Sequence, residues 1–111
     1  MSIIYEEETD LECLPFDITS SGNNETIVPE TNRRFLIKYF QLNSYTDNLT
    51  ITIHEEGDLD HVLFKARTKA GTIVNANLIG CEFRAKKQDR KLIVNLSGSG
   101  EVYFVVWYKN I

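Results

Sequence analysis

From Arg34 to the end of the chain, apolar and polar residues alternate with a period of two, and turn-forming residues recur about every eight to twelve positions. Leu49, Ile51 and Ile53 fall on one side of a ribbon, and Asn48, Thr50, Thr52 and His54 on the other. Val62, Phe64 and Ala66 alternate with His61, Lys65 and Arg67, and Leu92, Val94 and Leu96 with Lys91 and Asn95. Such stretches, rich in β-branched residues, predict half-buried strands. Before Arg34, Leu14, Phe16 and Ile18 alternate across Pro15, which suits an edge strand because proline donates no ladder hydrogen bond. No stretch has helix period with caps, and no repeat has a solenoid period.

Two segments are apolar on both sides. Phe35, Ile37 and Tyr39 alternate with Leu36, Lys38, Phe40 and Leu42; Val102, Phe104, Val106 and Tyr108 alternate with Tyr103, Val105 and Trp107. A strand in a two-layer sandwich needs one apolar face, so the second requires a cover. Either a loop or arm of the same chain, or a neighbouring protein, meets that need.

The connections predict hairpins. Ser97-Gly98-Ser99-Gly100 joins two strong strands through residues that tolerate positive φ. Lys86-Lys87-Gln88-Asp89-Arg90 forms a polar turn, and Glu55-Glu56-Gly57-Asp58 closes the strand that ends at His54. Thr72–Val74 is a short strand, and Leu78–Phe83 another, interrupted by Gly80. The prediction is an all-β, single antiparallel sandwich of jelly-roll type, with seven to nine strands over residues 28–111. Residues 1–27 form an acidic arm with a possible edge strand.

Charge supports that division. Residues 1–30 carry eight acidic side chains and no basic one, while the remainder holds all 12 Lys and Arg against eight acids. The arm either stays solvated or lies on a basic surface, its own or a neighbour's. A chain of 111 residues has the size of one domain, and 42% hydrophobic with 25% charged residues is ordinary for a globular one. No apolar run approaches the roughly 20 residues that span a bilayer. The first ten residues lack the basic-then-apolar order of a signal peptide, so the chain is expected either to stay in the cytoplasm where it is made or to leave by a route that needs no leader. Cys13 and Cys81 are too few for a disulfide framework or a zinc site and are expected to be reduced and mostly buried.

Candidate chemistry is sparse. His54, Glu55, Glu56, Asp58, Asp60 and His61 could hold a divalent cation, but their spacing fits no calcium loop or zinc helix, and acidic turns are common for solubility alone. No nucleophile elbow, phosphate-binding glycine loop or adjacent Cys–His pair occurs. The closely spaced histidines of cupin-type enzymes are missing too, so no catalytic residue, metal site or cofactor is predicted. Arg84, Lys86, Lys87, Arg90 and Lys91 form one basic cluster and Lys65, Arg67 and Lys69 another. The stacking aromatics of a nucleic-acid site are not interleaved with them, so a solubilising, edge-protecting role is favoured over nucleic acid, with a patch for an anion or an acidic partner as the alternative. Tyr103, Trp107 and Tyr108 could form a sugar platform if they surface together, or belong to the core.

The order Val28-Pro29, Arg34-Phe35-Leu36-Ile37, Leu42-Asn43-Ser44, Asn48–Ile53, Ser97–Gly100 and Val102–Tyr108 resembles the small β-sandwich proteins of tailed-bacteriophage particles, including capsid decoration and auxiliary head proteins. It covers about residues 28–111, through strand order rather than a fingerprint. The resemblance implies a non-enzymatic virion protein that binds a major capsid protein or another virion component, as a homo-oligomer and away from membranes. Tyr103, Val105 and Trp107 are then candidates for an apolar contact patch, and Glu6, Glu7 and Glu8 for an arm that docks electrostatically. The alternative is a carbohydrate- or host-surface-binding module of a tail or fibre.

Overall fold

The alternating segments become strands whose apolar sides close on one another. The structure, a computed structural model, describes residues 11–111. Its strands are β1 (Glu12–Ile18), β2 (Gly22–Glu25), β3 (Phe35–Ser44), β4 (Leu49–Glu55), β5 (Asp58–Thr68), β6 (Thr72–Asn77), β7 (Phe83–Arg84), β8 (Leu92–Leu96) and β9 (Val102–Asn110). There is no helix among the described residues. All pairs are antiparallel and nested: β4 with β5, β3 with β6 and β7, β2 with β8, and β1 with β9. The result is a five-stranded sheet, ordered β1-β9-β3-β6 with β7 also on β3, over a four-stranded sheet ordered β2-β8-β4-β5. That nesting is a jelly roll.

The core lies between the sheets. Ile37, Phe40, Leu42, Phe104, Val106 and Tyr108 of the larger sheet meet Ile51, Ile53, Leu92, Val94 and Leu96 of the smaller one. Phe40 bridges the layers, with its ring 5.8 Å from Phe64 and 6.0 Å from Phe104. Each fully buried side chain of this kind contributes roughly 1.5–3 kcal/mol of transfer free energy.

A β-bulge explains most of the double apolarity of β3. The register against β9 shifts between Ile37, opposite Tyr108, and Tyr39, opposite Trp107, which makes Lys38 the extra residue. The inward set is therefore Phe35, Ile37, Phe40, Leu42 and Ser44, and the outward set Leu36, Tyr39, Gln41 and Asn43. Strict alternation would have placed Phe40 and Leu42 outside. The bulge sits opposite the gap between β6 and β7, where the Leu78 N–H donates to the Lys38 carbonyl at 2.8 Å. A second irregularity, beside His54, turns Val62 outward and lets Leu63 pack against the core.

The edge strand expected around Pro15 is β1, and β2 is the edge strand of the other sheet. Two other expectations change. The 97–100 and 85–91 segments are crossings between sheets, not hairpins, because β8 lies in one sheet and β7 and β9 in the other. Gly100 packs close to its neighbours: a Cβ there would lie 2.9 Å from Leu49 Cδ2 and 3.0 Å from Thr46 Oγ1, so those side chains would have to shift. Finally, Cys13 and Cys81 are both exposed free thiols, Cys13 because it points outward from an edge strand and Cys81 because it lies in the turn between β6 and β7.

Candidate functional site

The outer face of the larger sheet gathers the residues that the sandwich core does not use. Register places them in rows across four strands. Cys13, Trp107, Tyr39 and Asn77 form one row; Pro15, Val105, Gln41 and Asn75 the next; Asp17, Tyr103, Asn43 and Ile73 the third. The three candidates on β9, Tyr103, Val105 and Trp107, thus share a face. Val105, flanked by two rings on its own strand, is only 9% exposed, while Tyr103 and Trp107 are half-buried. Leu36 also turns outward and is 5% exposed, so the single chain already covers part of this face. At the opposite end, Ile73 at 63% and Tyr45 at 54% leave large apolar surfaces in solvent. Glu6, Glu7 and Glu8 lie outside the described residues.

Near Trp107 the face deepens into an open groove of about 560 Å³. Trp107 and Tyr39 line it as an edge-on ring pair with centroids 6.5 Å apart and planes at 82°. Gln41, Asn75 and Asn77 supply carboxamides, and Leu11 forms part of the rim. Sequence reading missed these amides. The signal was available in the alternation of Gln41 with Asn43 and of Asn75 with Asn77 at outward positions. Beside them, Asn43 Oδ1 is buried without a hydrogen-bond partner, the one such side-chain atom among the described residues.

The candidate ion cluster is occupied by structural work. The His54 Nδ1–H donates to the Glu55 carbonyl at 2.8 Å, and the His61 Nε2–H donates to the Arg84 carbonyl at 2.7 Å. The His61 ring stacks on Phe83 at 4.3 Å. Glu55, 1% exposed, accepts the Lys86 N–H at 2.7 Å. Asp58 accepts the N–H groups of Asp60 and His61, each at 3.1 Å, and lies 3.4 Å from the Lys86 ammonium. Desolvation raises the Asp58 carboxyl, but those hydrogen bonds and Lys86 outweigh it and hold the group below its ordinary value. Arg90 Nη1 donates to the Glu56 carbonyl at 2.8 Å and packs over Gly57, whose φ of 76° and absent side chain permit that approach. Together these contacts tie the β4–β5 turn to the 85–91 crossing. No group of three or more His, Cys, Asp or Glu is set to hold a metal ion among the described residues.

The basic clusters are partly neutralised. Lys86 faces Asp58, and Lys91 Nζ donates to Glu25 at 2.9 Å, which with its coulombic attraction raises the Lys91 pKa. Lys65 and Arg67 point outward from β5, an edge strand that such charges protect from pairing with another chain.

No protein-family model and no curated protein matches this chain. Among solved structures, it is similar to one described as "Bacillus endospore appendages form a novel family of disulfide-linked pili". The identity is 12%, the TM-score is 0.49, and the match covers 88% of this chain and 83% of that one.

Proposed function

We propose that this chain is a non-enzymatic structural subunit that assembles with further copies of itself through the outer face of its larger sheet. The observation that carries this reading is the end of that face where Ile73 and Tyr45 leave large apolar side chains in solvent, with Asn43 standing between Ile73 and Tyr103 in the row. Large apolar side chains exposed on one face of a folded domain support a contact site there. The finer expectation, an auxiliary subunit on a phage capsid lattice, rests on the sequence resemblance alone.

Light-scattering mass across a concentration series tests the proposal. The expected result is a mass above the 12.8 kDa of one chain that returns to it in Ile73→Asp/Tyr103→Asp. A single-chain mass at every concentration, up to about 1 mM, would overturn it.

A further inference from the structure

The groove at the other end of the same face carries a separate inference. Its side chains combine two rings with three carboxamides, and none of the described residues that line it is charged, in a chain with 12 basic and 16 acidic residues. A charged ligand would find no counter-charge among them. A wholly apolar one would strip water from amides and leave them unpaired, which costs free energy.

The amides are available. Gln41 and Asn75 stand directly opposite each other on β3 and β6, and neither side chain makes a hydrogen bond to the described residues. Asn77 uses its Oδ1 to accept the Ile79 N–H at 3.0 Å, which leaves its NH₂ as a donor. A carboxamide both donates and accepts, as does a sugar hydroxyl, and a pair of neighbouring hydroxyls satisfies both roles without charge. Residues two apart on a strand are separated by roughly 6.5–7 Å. The Gln41–Asn75 pair therefore lies about one pyranose ring beyond the row of Trp107, Tyr39 and Asn77. A pyranose also presents a C–H face, for which a tryptophan ring is an apolar, rigid support. The volume of about 560 Å³ is in the ordinary range for a small-ligand site.

We infer that this groove binds a neutral oligosaccharide, with Trp107 against a sugar face and Gln41 and Asn75 bonded to its hydroxyls. The inference does not depend on self-assembly, which uses Tyr45, Ile73 and Tyr103.

The test uses the full chain with cellohexaose, maltoheptaose and chitohexaose as probes, each up to about 10 mM. Titration calorimetry reads binding, and acrylamide quenching reads access to Trp107, the sole tryptophan. At least one sugar is expected to bind and to shield Trp107. Gln41→Ala/Asn75→Ala is expected to weaken that binding about tenfold or more with an unchanged melting temperature. Four results would overturn the inference: no binding by any of the three sugars, undiminished binding in the double variant, a Trp107 already shielded without sugar, or shielding produced by protein concentration alone. In the last case the mass series still reports on assembly, so the two readings fail separately.

Discussion

The two sheets share one core, and the central rows of their outer faces differ in chemistry. Across the smaller sheet, Asn23, Asn95, Thr52 and Lys65 form a continuous polar row, joined at one end by the Asn95–Asn23 hydrogen bond of 2.8 Å. On the larger sheet one row is Cys13, Trp107, Tyr39 and Asn77. Water alone suffices to cover the first. The second presents rings and amides, the surface on which the proposed contacts rest. Nothing in the pairing pattern demands this asymmetry, since both sheets need only their inner faces for stability.

Three measurements probe that contrast, from the greatest disruption to the least. Deletion of Lys38 removes the residue that sets the inner and outer sides of β3. Either Phe35 and Ile37 or Phe40 and Leu42 must then leave the core. Loss of a cooperative melting transition by circular dichroism is expected, and a normal melt would show that the bulge does not govern the inward set. Next, Val105→Asp on β9 and Thr52→Asp on β4 place the same charge at the centre of each outer face. Val105 is nearly enclosed and should lose about 2–3 kcal/mol in urea unfolding, while Thr52, opposite Lys65, should lose under about 1 kcal/mol. Equal losses would abolish the distinction between the faces.

The mildest test concerns how each edge pair is fastened. In the larger sheet the Tyr108 hydroxyl donates to Glu12 Oε2 at 2.9 Å; burial first, then the bond to Glu12 and its charge, push that phenol up to about 12. In the smaller sheet the corresponding tie is the Lys91–Glu25 ion pair at the surface. A folded-state value raised above the unfolded one, about 10, stabilises fully below pH 10 and is lost as pH climbs toward 12. Tyr108→Phe should therefore cost about 1 kcal/mol at neutral pH and flatten the decline of melting temperature between pH 10 and 12. An unaltered alkaline decline would mean that another group is responsible.

Much of the architecture was legible because a period of two survives any loop. Ile51, Ile53, Val94 and Leu96 face inward as their alternation predicts. Face assignment failed where one residue is added, at Lys38 and beside His54, because a bulge inverts the pattern without altering composition. Ser97–Gly100 was misread for a different reason. Glycine permits both tight turns and close backbone approach, and here it serves the second. Tyr103, Val105 and Trp107 were identifiable as one face, since nine unbroken residues of β9 carry them. The groove was not, because its amides come from strands more than thirty residues apart in sequence (Gln41 and Asn75), and only pairing brings them opposite each other.

The nested pairing also governs how this chain must come together. The β4–β5 hairpin can close locally, but Glu12 meets Tyr108 across 96 positions. Loop-closure entropy delays such contacts, and folding dominated by them takes roughly milliseconds to seconds. During synthesis β1 is made well before β9, the strand it pairs with. Its apolar side therefore stays uncovered until about 80 further residues have left the ribosome, an interval that a hairpin such as β4–β5 never faces.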